Sequence, residues 1–389
     1  MQKSYLELPD HELIELGGIH TAKEIQNQPE LWLRVRDQVF TEKNQIKKFL
    51  NPLLSHDDLT IILTGAGTSA FIGLSVEQHL RRTLNKTTRA IPTTTLVTHF
   101  KDYIDINKPV LFISFARSGN SPESTAIIDL AEAHCKKSYH ISITCNSSGR
   151  LAKQIQQLEN GLNIVLPPES EDAGLAMTGS YTSMLLASML LPGLLADNVH
   201  TELIDELSSA ATHLIAMHSN NLKELASLDF NRIIFLGSGP LLGVAEESHL
   251  KVQELSDGKV IGKFDSFLGF RHGPKAIINN KSVVVCLFSD DDYVFRYEKD
   301  MALQIIEDNQ AMKVFGVFPS IDKSNQIKTG HNIIFDYKAK SIQGLECILY
   351  VLPAQMIGFY KSLNLGLKPD SPSESGTISR VVQGVTIYK

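Results

Sequence analysis

This chain of 389 residues has no run of Lys and Arg longer than two residues, and its formal net charge is −6. Nothing in it marks a basic face for a phosphate backbone, which excludes an ordinary nucleic-acid binder. It also lacks a long apolar run. The most apolar stretch, Met184 to Ala196, is interrupted by Pro192 and falls short of the roughly 20 residues a spanning helix needs. The start, Met1-Gln2-Lys3-Ser4-Tyr5-Leu6-Glu7, has no signal-peptide pattern. Cysteine is scarce: Cys135, Cys145, Cys286 and Cys347 lie far apart and form no Cys-x-x-Cys. They are expected to be buried, reduced thiols. No His/Asp/Glu cluster has metal-ligand spacing. The expectation is a soluble cytoplasmic protein with no nucleic-acid partner, no membrane, no metal and no cofactor.

Ordinary composition, 43% hydrophobic and 21% charged, fits a globular chain too long for one core. The organising stretch is Ile61-Ile62-Leu63-Thr64-Gly65-Ala66-Gly67-Thr68-Ser69-Ala70. Three apolar residues predict a buried strand. The glycines allow a tight turn into a helix predicted over Phe71 to Leu84. Unpaired N–H groups and a partial positive charge suit such a helix start to an anion. The other reading is a glycine-rich turn with no ligand. The turn mimics a dinucleotide fingerprint, which needs an acidic residue about 20 positions on. Arg89-Ala90-Ile91-Pro92-Thr93-Thr94-Thr95 supplies none. The two hydroxyls, Thr68 and Ser69, favour a phosphate monoester.

Before this turn, Trp32, Leu33, Val35, Val39, Phe40, Ile46 and Phe49 recur at helical spacing, with Thr21-Ala22-Lys23-Glu24 as a possible capping box. After it, strands are predicted at Pro109–Ser114, His140–Thr144 and Gly161–Leu166, then a long apolar helix over Ser180–Leu195. A second hydroxyl-rich turn, Arg117-Ser118-Gly119-Asn120-Ser121, follows the first of these strands. The pattern returns about 170 residues later in Arg232–Pro240, Ser282–Ser289, Lys313–Phe318, Asn332–Phe335 and Ile348–Leu363. Apolar strands alternating with helices mean an α/β fold with parallel sheets covered by helices. In such sheets ligands bind beyond the carboxyl ends of the strands. Ser289-Asp290-Asp291-Asp292 replaces the second turn in the later copy, and its carboxylates would repel phosphate. The first copy is therefore the anion holder. The loop from Gly174 to Ser180 can add donors.

The Gly-x-Gly-Thr-Ser turn and the Ser-Gly-x-Ser turn, in a duplicated unit, resemble the SIS (sugar isomerase) phosphosugar-binding family. The resemblance covers about residues 45 to 365. It implies two tandem αβα SIS domains of flavodoxin-like type: a helical arm at 1–50, a phosphate-binding domain at 51–212, a second domain at 213–365 and a tail at 366–389. Family phosphate contacts carry over to Ser69, Ser118, Ser121 and Thr178, with Gly67, Thr68, Arg117 and Gly119 in the same turns.

Glu246-Glu247-Ser248-His249-Leu250-Lys251-Val252-Gln253-Glu254 resembles the Glu-rich helix in the isomerase half of glucosamine-6-phosphate synthase. Phe270-Arg271-His272-Gly273-Pro274 resembles the turn that follows it. The resemblance implies proton transfer by Glu254 and ring opening by His272, the latter from a neighbouring subunit, so a homodimer with shared active sites. Ser256 to Gly269, with glycines at 258, 262 and 269, is expected to be a loop carrying His272 outward. Lys251, one turn before Glu254 on the same helix face, tunes Glu254, contacts substrate, or forms a plain surface ion pair.

Departures narrow the family. The chain lacks the synthase's amidotransferase domain, and Gln383 stands where the synthase's C-terminal lysine is expected. Chain length and the pattern from Thr21 to Trp32 look closest to the AgaS type. That type implies deamination of galactosamine 6-phosphate to tagatose 6-phosphate. The alternatives are tagatose-6-phosphate ketose/aldose isomerisation without ammonia loss, glucosamine-6-phosphate deamination, or a non-catalytic sugar-phosphate sensor.

Overall fold

The structure is a computed structural model that describes residues 3–198, 201–335, 344–382 and 384–388. Gln383 lies outside the described residues. By packing, the chain separates into two compact units. One comprises Glu30–Asp172, Gly179–Ile204 and Ile378–Lys389; the other comprises Met1–Pro29, Ala173–Thr178 and Asp205–Thr377. Each is built on its own five-stranded parallel sheet.

After a short antiparallel strand pair (Ser4–Tyr5 with Leu8–Pro9) and a six-residue helix (Asp10–Glu15) come two longer helices, α1 (Ile19–Thr41) and α2 (Lys43–Leu54). Thr21 and Glu24 do not form a capping box. Thr21 lies inside α1, and its N–H and hydroxyl both donate to Asp370 Oδ1, at 2.7 and 2.8 Å. Asp370 thus supplies the anion that the helix start favours. Trp32 is fully buried, its indole N–H donating to Thr182 Oγ1 at 3.0 Å, so it is a core residue.

The first sheet follows: β1 (Thr60–Thr64), α3 (Thr68–Leu84), β2 (Thr87–Ala90), α4 (Thr93–Tyr103), β3 (Pro109–Ala116), α5 (Pro122–His134), β4 (Lys137–Thr144), α6 (Arg150–Gln156), β5 (Gly161–Val165) and α7 (Gly179–Leu195). Its strand order is β2-β1-β3-β4-β5. Ile62, Phe112, Phe100 and Ile127 pack one face of it under α4 and α5. Burying each such side chain contributes roughly 1.5–3 kcal/mol. α7 is buried along nearly its whole length, which is why its sequence is apolar all round.

The second sheet comes after α8 (Thr201–Ser227): β6 (Arg232–Leu236), α9 (Pro240–Leu255), β7 (Ile261–Asp265), β8 (Ser282–Leu287), α10 (Asp292–Asp308), β9 (Lys313–Phe318), β10 (His331–Ile334) and α11 (Leu352–Asn364). Its order, β7-β6-β8-β9-β10, is the order of the first sheet again. The expected duplication is therefore present strand for strand. Each copy has one strand more than the four expected. The added strands, β2 and β7, are edge strands. The stretch expected to be a loop outward, Ser256 to Gly269, holds β7, paired in parallel with β6 from Arg232↔Ile261 to Leu236↔Asp265. The apolar helix expected over Ile348–Leu363 is interrupted at Val351, before Pro353.

No helix among the described residues is long and apolar enough to cross a membrane. All four cysteines are free; Cys135 is half-buried and the other three are buried. Burial pushes the Cys135 and Cys145 thiols up to about 11 and about 12, far from the range of a reactive thiolate.

Candidate active site

Thr64 and Ser114 form the last rung between β1 and β3. Both glycine-bearing turns therefore leave the sheet at neighbouring strand ends, on its carboxyl side. Gly65 must lack a side chain, because a Cβ there would lie 2.6 Å from the Ser69 backbone. Gly67 holds φ 55° and ψ −132°, a left-handed geometry that glycine adopts without strain. α3 then starts at Thr68, so Thr68 and Ser69 belong to its first turn. Both are buried.

The second turn is held from behind. Gly119 has φ 63°. Asn120 Oδ1 accepts the Arg150 N–H at 3.1 Å, and the Arg150 guanidinium returns a bond to the Asn120 carbonyl at 2.6 Å. Ser118 is half-buried, and its Oγ accepts the Asn120 N–H at 3.3 Å. Ser121 precedes α5 without its side chain capping the helix. Its Oγ instead shares a 2.6 Å bond with Ser124 Oγ. Arg117 is buried, its guanidinium donating to the Arg380 carbonyl at 2.6 Å. The structure thus brings Gly67, Thr68, Ser69, Arg117, Ser118, Gly119 and Ser121 to two adjacent strand ends of one sheet.

Thr178 is not grouped with them. It belongs by packing to the other unit, is fully buried, and its carbonyl accepts the Gln355 amide at 3.4 Å. The donors expected from the loop before α7 are partly taken. Asp172 accepts the Gly179 N–H on Oδ1 at 3.0 Å, and the Ser180 N–H and hydroxyl on Oδ2 at 3.0 and 2.5 Å. Asp172 in turn has its carbonyl held by the Arg380 guanidinium at 2.6 and 2.9 Å. Neither Asp172 nor Arg380 was visible as a site residue in the sequence: Asp172 stands only seven and eight residues before the groups it accepts from but in no recognisable motif, and Arg380 lies 208 residues from Asp172.

The later copy keeps the backbone and changes the contents. Gly239 has φ 55° and ψ −126°, close to Gly67. At the turn after β8, Asp291 caps α10 by accepting the Tyr293 and Val294 N–H groups. Glu298 is fully buried and accepts the Ser289 N–H at 2.8 Å. Burial pushes its carboxyl up to about 7. Lys323 Nζ donates to the Asp290 carbonyl at 2.6 Å and pairs with Asp292 at 3.0 Å. This turn already holds carboxylates of its own.

The proton-transfer candidates lie on α9. Lys251 is fully buried and sits 2.6 Å from Glu254 Oε2 and 3.3 Å from Glu247 Oε1. Glu247 is fully buried too, while the Glu254 side chain remains 24% exposed. The plain surface ion pair is thus replaced by a buried one. Glu247 was passed over in the sequence; its place at i−4 from Lys251 was the available signal.

His272 follows a short helix, Phe267–Phe270, anchored by two fully buried phenylalanines. Gly273 then turns the chain with φ 110°. The imidazole is exposed, and no bond joins it to Glu254 among the described residues. Nor do the described residues place three or more His, Cys, Asp or Glu together where they could hold a metal ion.

The SIS domain model matches residues 53–192, which include both hydroxyl-rich turns. The chain is 38% identical over 95% of its length to the D-galactosamine-6-phosphate deaminase AgaS of Escherichia coli O157:H7, covering 96% of that protein. The chain belongs to the AgaS family. Solved structures of similar sequence share the fold over nearly the whole chain. A candidate tagatose-6-phosphate ketose/aldose isomerase from Clostridium novyi NT superposes with a TM-score of 0.95 at 36% identity, each chain covered in full. The tagatose-6-phosphate ketose/aldose isomerase of Escherichia coli gives 0.87 at 34% identity, over 96% of this chain and 97% of that one. The AgaS fold thus arrives with two activities named among similar proteins.

Proposed function

We propose that this protein deaminates galactosamine 6-phosphate, giving tagatose 6-phosphate and ammonia with consumption of one water. The observation that carries the reading is the identity, across nearly the whole of both chains, to the Escherichia coli D-galactosamine-6-phosphate deaminase. The chemistry asks for few groups. The sugar ring opens to the aldehyde, and we assign the proton movement there to His272. A carboxylate removes the C2 proton and helps return one to C1; we assign this to Glu254. The resulting C2 imine takes up water and releases ammonia. Ser69, Ser118 and Ser121, with the amides of their turns, hold the phosphate, and Gly67, Thr68, Arg117 and Gly119 shape those turns. Thr178 is the remaining family contact. Lys251 fixes the Glu254 carboxylate.

Three observations support these roles. The turns at Ser69 and Ser118 leave adjacent strands, and Ser121 leaves α5 uncapped by its side chain. Glu254 is the only member of the Glu247–Lys251–Glu254 cluster with side-chain exposure. His272 is exposed and makes no bond to Glu254. That fits a histidine serving a second copy, so we infer a homodimer with shared sites. Four free thiols and a phosphorylated substrate fit the cytoplasm.

A second reading is favoured by the isomerase named at 34% identity: the same proton shift on tagatose 6-phosphate, without ammonia loss. The deciding experiment offers the purified protein galactosamine 6-phosphate, glucosamine 6-phosphate and tagatose 6-phosphate in parallel. Ammonia release with the first substrate, faster than with the second, is the expected outcome. Aldose formation from tagatose 6-phosphate with no ammonia from either amino sugar would establish the isomerase instead.

A further inference from the structure

Four cations gather at the end of α3 that lies away from the Thr68–Ser69 turn. Arg81 and Arg82 close the helix, Lys86 follows its left-handed end at Asn85, and Arg89 lies on β2. They line one open groove of about 620 Å³. A single carboxylate, Glu77, also lines it, and Glu77 Oε2 already accepts the Ala90 N–H at 2.9 Å.

Several surface cations elsewhere sit against carboxylates: Lys43 and Lys47 with Asp197, Lys275 with Asp308, Lys281 with Asp229. Among the described residues the four groove cations have no carboxylate partner. Two of them are held by neutral acceptors. Lys86 Nζ donates to the His56 carbonyl at 2.9 Å, and Arg89 Nη1 to the Tyr103 carbonyl at 3.3 Å. These bonds fix the side chains without cancelling their charge.

Simpler causes cover part of this arrangement. Cations in a last helical turn favour the helix dipole, which accounts for Arg81 and Arg82. Charge on an edge strand discourages strand pairing, which accounts for Arg89. Neither accounts for all four converging on one groove in a chain of net charge −6. Like charges held together repel, and a multiply charged anion relieves that repulsion. The volume lies within the usual range for small-molecule sites.

We propose that this groove binds a small polyanion carrying at least two phosphate groups, at a site separate from the substrate turns. α3 has 17 residues, so its rise sets the two ends about 25 Å apart. β2 runs from the groove toward the substrate turn as well: Thr93, just beyond it, donates its N–H to the Gly65 carbonyl at 2.8 Å.

The test is calorimetric titration of the intact protein with inorganic tripolyphosphate at low salt. Wild type and Ser118→Ala should bind it alike. Arg82→Gln combined with Arg89→Gln should bind about tenfold or more weakly, through loss of charge-assisted hydrogen bonds, while turning over sugar phosphate as wild type does. Orthophosphate should bind far more weakly than tripolyphosphate. The proposal is overturned if wild type takes up no tripolyphosphate, if the double variant binds it as wild type does, or if Ser118→Ala abolishes binding. Equal affinity for orthophosphate, or tighter binding of a poly-aspartate peptide, would likewise remove the polyphosphate assignment.

Discussion

Lys251 Nζ lies 2.6 Å from Glu254 Oε2, with the lysine fully buried and the glutamate side chain 24% exposed. The pair is asymmetric: the cation is locked inside α9's packed face, and the carboxylate keeps one side open. Glu247, 3.3 Å away on the other flank, is buried with the lysine. Removing the cation would take away the ammonium that lies 3.3 Å from the buried Glu247 carboxylate. Lys251→Met is therefore expected to lose about 3–5 kcal/mol of stability, read from the urea midpoint. A loss within the scatter of ordinary surface substitutions would show that the cluster is not electrostatically coupled.

Glu254→Gln keeps the shape of the side chain and cannot accept a proton. Turnover should fall by about 10²–10⁴ through loss of general-base catalysis. Solvent deuterium should no longer enter the sugar. If the variant incorporates deuterium at the wild-type rate, another group moves the proton.

Ser118→Ala should weaken phosphate binding by about 1–3 kcal/mol, seen mainly in KM. Ser289→Ala, at the matching turn of the second sheet, is the control. That turn already holds carboxylates of its own, so KM should not change. Equal effects of the two substitutions would contradict the assignment of the anion to the first copy.

A shared site predicts complementation. Glu254→Gln and His272→Asn chains, unfolded and refolded together, should pair at random. About half of the dimers are then mixed, and in each of those one site carries both defects and the other neither. Roughly a quarter of all sites regain activity. If no mixing ratio restores turnover, Glu254 and His272 act within one chain.

Glu298 sets a pH dependence of stability. Its folded carboxyl is raised from 4.5 to about 7, by burial above all. In that window the folded state binds more protons than the unfolded one. The contribution is therefore complete below about 4.5 and is lost as pH rises through about 7. Glu298→Gln, which retains an acceptor for the Ser289 N–H, should flatten the fall in unfolding free energy across this window. An unchanged slope would show that Glu298 is not the titrating group.

What the sequence revealed follows from burial. β1, β3, β6 and β8 are covered on both faces, so they read as continuous apolar runs such as Val110-Leu111-Phe112-Ile113. β2 is Thr87-Thr88-Arg89-Ala90 and β7 is Ile261-Gly262-Lys263-Phe264-Asp265; as edge strands they carry polar residues and glycine, and the apolar signal fades. The two hydroxyl-rich turns were legible because glycine at 65, 67 and 119 is forced by local backbone geometry. The burial of Lys251 and Glu247 was not, because only their packed neighbours remove them from water. Arg380 was hidden for another reason: it reaches Asp172 and Arg117 from 208 and 263 residues away.

The turn after β8, filled by Asp291 and Glu298, amounts to a binding site with a tethered ligand. Its occupancy is set by effective concentration and is independent of how much sugar phosphate the cell contains. The turn after β3 has no such tether, so its occupancy follows mass action. Substrate should accordingly slow amide exchange around Ser118 and Ser121 in proportion to its concentration, and leave exchange around Ser289 where it was. On the proposed assignment, one of the two cradles is a permanent fixture and the other reports the metabolite level.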